Sequence, residues 1–143
     1  MTRSVPFAAC GVALALGALG PAHAQSTKMS ELASPAQLTG AELEDLVKGA
    51  TVYSDTDSGV ERSWVDSADG SLVGQARRTV GGPMGIARGS GTWRVDNDRY
   101  CVEIDWRANK EAWCRLVFQA GGKHYIAGSA KADATARSIR FER

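Results

Sequence analysis

From Thr51 onward the sequence is interrupted by turn signals at short intervals, which leaves segments too short for ordinary helices. Ala68-Asp69-Gly70, Asn97-Asp98 and Gly121-Gly122 favour the positive φ angles of tight hairpin loops. The intervening segments are rich in β-branched and aromatic residues, as strands are. Consecutive short strands joined by hairpins form an antiparallel meander. The pattern therefore predicts a mainly β fold, a small barrel or sandwich, with one short N-terminal helix.

Eight segments are predicted as strands on this basis, near Thr51–Ser54, Val60–Asp66, Ser71–Val80, Thr92–Val95, Arg99–Trp106, Ala112–Gln119, Lys123–Ala127 and Ser138–Phe141. The segment Gly81–Gly91 is too rich in glycine for an ordinary strand. It is predicted to be a mobile loop over one end of the barrel, and the alternative is a strand that bends sharply.

The helix is predicted from about Gly40 to Lys48. Thr39 and Glu42 form a capping box, in which the threonine hydroxyl accepts from the Glu42 amide and the glutamate reaches back to the Thr39 amide. Gly49 stands where a left-handed residue ends a helix. The buried stripe of this helix is predicted to be Leu43, Leu46 and Val47.

The chain begins with Arg3, an apolar run and Ala22-His23-Ala24, the plan of a secretory signal peptide cleaved after Ala24. We therefore predict a signal peptide at 1–24, a flexible lead-in at 25–37 and a single β-barrel domain at 38–143. The predicted location is the periplasm, or outside the cell, with no membrane span after cleavage. No cofactor is predicted.

Without Arg3 the mature chain has 16 basic and 16 acidic residues, because the full chain has 17 and 16. A neutral chain argues against nucleic-acid binding, which needs a basic surface to neutralise phosphates. Two cysteines remain, Cys101 and Cys114. Pairing the two strands so that residue numbers sum to 215 places them opposite each other, and an even pair in an oxidising compartment favours a disulfide. They are too few for a zinc site, so no metal is predicted.

Alternation places Trp93, Tyr100, Trp106 and Trp113 on one face of the sheet. These side chains form either the core of the sheet or one wall of a ligand cavity at the barrel mouth. Leu116 and Phe118 fall on the opposite face from Trp113, which requires a bulge or a second buried face.

The candidate ligand-binding residues are these four aromatics with Arg88 and His124. Several arginines lie on or near the glycine-rich segment, namely Arg77, Arg78, Arg88, Arg94 and Arg99. They form either a local anion-binding site or the solvent-exposed face of a strand. His124 is the only histidine left after processing, and no nucleophile motif accompanies it. Catalysis is therefore not predicted.

A family resemblance spans Leu38–Tyr125. The order LTGAEL at 38–43, a DG turn at 69–70, GTWRV at 91–95, YCVEIDW at 100–106 and AWC at 112–114 resembles a secreted proteobacterial family catalogued only as a domain of unknown function. The resemblance implies a periplasmic calycin-like, or lipocalin-like, β-barrel with the two cysteines bridged. It implies no activity.

Two functions are compatible with the sequence. The first is a small-ligand-binding barrel that holds an apolar or amphiphilic molecule against the aromatic face, with the glycine-rich segment as a lid. The alternative is an interaction or inhibitor protein that binds a periplasmic or envelope protein through loop residues Met84, Ile86 and Arg88.

Overall fold

The computed structural model describes residues 26–78 and 85–143. One helix, α1, spans Gly40–Val47, and a single 3₁₀ turn spans Met29–Glu31. The strands are β1 Thr27–Lys28, β2 Ala36–Gln37, β3 Thr51–Asp55, β4 Val60–Asp66, β5 Ser71–Arg78, β6 Ile86–Asp96, β7 Arg99–Asp105, β8 Lys110–Ala120, β9 Lys123–Ala127 and β10 Thr135–Glu142.

Strands β3 to β10 form a closed antiparallel barrel of eight strands. Each pairs with the next along the chain. The ring closes through β10, which pairs with β9 over Ala136–Ile139 and with β3 over Arg140–Glu142. The predicted mainly β fold with one short helix is confirmed, and the architecture is that of a small calycin-like barrel.

The predicted hairpin turns are present. Gly70, Asn97, Asp98, Gly121 and Gly122 all have positive φ angles, between 49° and 85°. These are the conformations that tight loops between antiparallel strands require. The chain therefore reverses direction at the residues that the sequence indicates.

The hairpin of β7 and β8 has the predicted register, since Cys101 faces Cys114 and Val102 faces Trp113. The two sulfur atoms are bonded at 2.06 Å. A bridge that closes a loop of this length stabilises a small domain by roughly 2–4 kcal/mol, chiefly by restricting the unfolded chain.

Helix α1 packs against β6 and β7 with Leu43 and Val47 fully buried. Leu46, also predicted to be buried, is only half-buried. The backbone amide of Thr39 donates to Glu42 Oε2 at 2.8 Å, which confirms the glutamate half of the capping box. Gly49 has the left-handed conformation predicted for the residue that follows the helix, with φ at 77°.

A second buried face lies outside the barrel and accounts for the opposite parity of Leu116 and Phe118. These side chains pack with Ala127, Ala136 and Met29. Met29 belongs to the segment 25–37, which was predicted to be a flexible lead-in. That prediction differs from the structure, because β1 pairs with β10 and β2 pairs with β8. Burial of Met29 removes an apolar surface of the barrel from water.

The prediction of a loop at Gly81–Gly91 is wrong for its second half, because β6 begins at Ile86. Gly89 pairs with Gly74 of β5, and a Cβ at Gly89 would lie 2.6 Å from Trp106 Cε3. A Cβ at Gly74 would lie 3.3 Å from Trp106 Cη2. The strand thus contains glycine because the Trp106 indole rests directly on its backbone.

Two parts of the chain lie outside the described residues, 1–25 and 79–84. The predicted signal peptide and Met84 fall within them. In the part of the chain that the structure covers, no helix is long and apolar enough to cross a membrane.

Replacing Gly89 by Ala is expected to destabilise the protein, because the new methyl group would overlap Trp106 and Ile104. We expect a loss of about 1–3 kcal/mol in the free energy of unfolding, measured by urea denaturation. Gly85→Ala is the matched control, since no atom of the described residues lies within 4 Å of its added Cβ. An equal stability of the two variants would contradict the close packing of Trp106.

Candidate functional site

Strand β8 carries Glu111, Trp113 and Arg115 at alternate positions, so all three project from the face that holds Val117 in the barrel core. Side chains from β4, β10 and two loops meet this row. We call the set the arginine cluster; it consists of Arg62, Trp106, Glu111, Trp113, Arg115, Arg137 and Asp57.

Glu111 accepts hydrogen bonds from three other residues of the cluster. Nη1 of Arg62 donates to both of its carboxylate oxygens, at 2.7 and 2.6 Å. The indole nitrogens of Trp106 and Trp113 also donate to it, at 3.2 and 3.1 Å. One carboxylate therefore fixes a guanidinium and the planes of two indole rings.

Arg115 has no such partner. Its guanidinium lies 5.7 Å from the centre of the Trp113 ring, and it forms no hydrogen bond or ion pair with any described residue. The side chain is half-buried, and this burial, followed by the positive charge of Arg137, lowers the pKa of Arg115, although the negative charge of Glu111 opposes the decrease. A desolvated cation beside another cation is unfavourable unless an anion accompanies it.

The cluster carries an excess of positive charge. Arg137 donates to Asp57 Oδ2 at 2.7 Å, and Arg62 is bonded to Glu111. Nε of Arg62 is buried without an acceptor among the described residues. Two arginines thus have carboxylate partners, whereas Arg115 and one donor of Arg62 do not. Chemically, this arrangement is suited to holding an anion by charge-assisted hydrogen bonds.

The four aromatic candidates lie together in the main core. Tyr100 and Trp106 are buried, and Trp93 and Trp113 are half-buried against them. The rings of Tyr100 and Trp113 meet edge to face with centroids 5.5 Å apart. Trp93 donates to the carbonyl of Ser67 at 2.8 Å, which ties β6 to the turn after β4. All four make the contacts expected of a packed interior, and Trp106 and Trp113 also donate to Glu111 of the arginine cluster.

Arg88 and His124 do not join these aromatics. Arg88 lies on the outer face of β6, in a shallow depression with Ser90, Asp105 and Arg107. His124 meets Phe141 edge to face at 5.5 Å, and burial lowers its pKa. The other arginines of the predicted anion site also lie apart. Arg77 pairs with Glu61, and Arg99 donates to the carbonyl of Gly128.

Asp66 is an ionisable residue inside the apolar core, and its side chain is fully buried. Its Oδ2 accepts from the Tyr100 hydroxyl at 2.6 Å, and that hydroxyl accepts from Trp64 Nε1 at 2.8 Å. Its Oδ1 has no donor among the residues described. Burial raises the pKa of Asp66 to about 7, although the hydrogen bonds oppose this rise.

Arg62, Asp66, Glu111 and Arg115 were not predicted as site residues, although their spacing in the sequence indicates them. Arg62 and Asp66 lie two residues either side of Trp64, and Glu111 and Arg115 lie two residues either side of Trp113. Strand alternation places each with its tryptophan on the inner face.

A groove of about 1070 Å³ lies on the outside of the barrel. Arg140 lies 4.3 Å above the Tyr53 ring there, and residues of both charge signs surround them. The groove therefore has no dominant charge, unlike the arginine cluster.

Comparisons with protein-family models, curated proteins and solved structures find no match. The family resemblance therefore stays a prediction. Within residues 26–78 and 85–143, no group of three or more His, Cys, Asp or Glu side chains is placed to hold a metal ion.

The raised pKa of Asp66 predicts a pH-dependent stability. The folded state holds the proton more tightly than the unfolded chain, whose aspartate titrates near 3.8. This contribution is complete below pH 3.8 and is lost as the pH rises through about 7. Asp66→Asn should therefore match the wild type near pH 4 and exceed its free energy of unfolding by about 2–4 kcal/mol at pH 8.

Urea denaturation between pH 4 and 8 measures this difference. Asp45→Asn serves as the control, because the Asp45 side chain is 91% exposed. Parallel pH profiles for Asp66→Asn and the wild type would contradict a buried, proton-binding carboxyl group.

Proposed function

We propose that this chain is an exported small-ligand-binding barrel whose ligand is an anion held at the arginine cluster. The observation that carries the proposal is the half-buried guanidinium of Arg115, which forms no hydrogen bond or ion pair with any described residue. The carboxylate that acts on it electrostatically, Glu111, is already bonded to Arg62. The disulfide between Cys101 and Cys114 is compatible with an oxidising compartment such as the periplasm.

The surroundings of Arg115 favour an anionic ligand. Trp113 supports the guanidinium from one side, and Trp113 is itself fixed by its bond to Glu111. A side chain held in this way loses little further freedom when it binds, which favours affinity. Guanidinium binds carboxylate, sulfonate or phosphate oxygens through short, charge-assisted hydrogen bonds. Arg137 adds a second positive charge nearby.

The anionic group is the part of the ligand that the geometry supports. The sequence favoured an apolar or amphiphilic molecule lying against the aromatic face, but Tyr100 and Trp106 are occupied by contacts within the core. Trp106 and Trp113 both belong to that face and to the cluster, and Trp113 is the one that is half-buried and lies against Arg115. An apolar part of an amphiphilic ligand would therefore meet the protein at Trp113.

Replacing Arg115 by Gln should weaken anion binding by about tenfold or more, because it removes a charge-assisted hydrogen bond. The probe is benzenesulfonate, a stable monoanion, titrated at low salt. Binding is measured from the indole N–H signals of the four tryptophans in nitrogen–proton NMR spectra, and the Trp113 signal is expected to shift most.

Arg94→Gln is the matched control, because Arg94 is an exposed arginine of β6 outside the cluster. It should retain wild-type affinity. A wild-type protein that does not bind the probe, or an equal loss of affinity in both variants, would overturn the proposal.

Binding of an envelope protein is a second candidate function, and the exposed apolar side chains on the outer face of β4, β5 and β6 favour it. Val73 and Ile86 are 61% and 65% exposed, and Val65 lies directly opposite Val73. Arg88 lies on the same outer face as Ile86. Apolar groups that remain exposed on a strand face are typical of contact surfaces.

The double variant Val73→Thr, Ile86→Thr tests this candidate, because threonine keeps the strand while removing apolar surface. If the outer face binds a protein, the variant should lose the partner captured from a periplasmic extract, whereas Arg94→Gln keeps it. Its thermal stability should remain within a few degrees of the wild type, since surface substitutions change stability by about 0.5 kcal/mol or less. Capture that is unchanged by the double variant would contradict this function.

A further inference from the structure

We infer that the ligand of the arginine cluster is a singly charged anion, and that Glu111 is the residue that sets this limit. The inference rests on the proposed function, since it concerns the same site. It adds the charge class of the ligand and a specificity-determining role for one side chain.

The net charge of the cluster indicates a singly charged ligand. Three guanidinium groups, Arg62, Arg115 and Arg137, face two carboxylates, Glu111 and Asp57. The balance of three positive and two negative charges leaves one positive charge. A monoanion completes the neutralisation, whereas a dianion would leave an excess negative charge in a half-buried site, which is unfavourable.

Glu111 cannot easily withdraw to admit a second negative charge. If its carboxylate moved away, Arg62 Nη1 and the indole nitrogens of Trp106 and Trp113 would lose their acceptor. The side chains of Glu111 and Arg62 are each 24% exposed, so water replaces those bonds only in part. The negative charge of Glu111 is thus a fixed feature of the site.

The negative charge of Glu111 is felt at the place where the ligand would bind. Glu111 and Arg115 flank Trp113 on the same face of β8, and the electrostatic influence of Glu111 reaches the Arg115 guanidinium. An anion bound to Arg115 is therefore repelled by Glu111, and a doubly charged anion is repelled twice as strongly. Glu111 is a specificity-determining residue in this sense, and it need not touch the ligand.

The experiment compares two anions of similar shape and different charge at pH 8. Benzenesulfonate carries one negative charge, and phenyl phosphate carries two. Dissociation constants are measured from the indole N–H signals for the wild type and for Glu111→Gln. The amide oxygen of Gln can still accept a hydrogen bond, but the negative charge is gone.

The wild type should bind benzenesulfonate more tightly than phenyl phosphate. In Glu111→Gln the affinity for benzenesulfonate should rise by about threefold and that for phenyl phosphate by about tenfold, because doubling the charge doubles the free-energy change. Glu61→Gln is the control, because Glu61 is an exposed carboxylate paired with Arg77 outside the cluster. It should leave the ratio of the two affinities unchanged.

Asp57→Asn keeps the test valid if Glu111→Gln does not fold. Asp57 is 52% exposed and belongs to the same charge balance, so its removal should also shift the preference toward phenyl phosphate. A wild type that binds neither anion would overturn the proposed function itself. A wild type that binds both but prefers phenyl phosphate, or a ratio unaffected by both variants, would overturn only the inference about charge.

Discussion

The packing of the Trp106 indole on the backbone of two neighbouring strands is the contact on which the interior of this barrel depends. Gly74 and Gly89 face each other across β5 and β6, and the absence of two Cβ atoms makes room for the ring. The ring fills space that strand side chains would otherwise occupy. Its single polar atom then requires an acceptor, which Glu111 provides.

This requirement links the core to the candidate site. A carboxylate placed beside Trp106 has to be neutralised, and Arg62 does so from across the barrel. The same carboxylate orients Trp113, on which Arg115 rests. The polar site is thus centred on the hydrogen bonds that the buried indole of Trp106 and the half-buried indole of Trp113 donate to Glu111. The charge on Arg115 is the part of this arrangement that is not balanced within the described residues.

Much of the fold follows from local signals. The hairpin turns, the helix start at Thr39 and the register that pairs Cys101 with Cys114 depend on residues close together in sequence, and these features could be predicted. The first residues of β6 could not. Glycine normally weakens a strand, and its presence at Gly89 makes sense only once Trp106, from a distant turn, is known to lie on it.

The candidate site was predicted less well, for a similar reason. Alternation identified the aromatic face correctly, but the anion site was predicted among the arginines near the glycine-rich segment, and Arg62 and Arg115 were not among the candidates. Arg115 lies two residues after Trp113 on β8, so it projects to the same inner face. Which groups surround its guanidinium there depends on contacts between strands that are distant in sequence. The bond between Arg62 and Glu111 joins residues 49 positions apart. No local pattern predicts such a pairing.

The double pairing of β10 has a consequence for how the chain folds. Each hairpin from β3 to β9 forms between neighbours in the sequence, so these contacts need only short loops to close. The ring is completed when Phe141 pairs with Val52, which brings together the first and last strands of the barrel. That step has the largest entropy cost, and we expect it to limit the folding rate. Until it occurs, β3 and β10 present unpaired edges, so the unclosed meander is the species most exposed to aggregation.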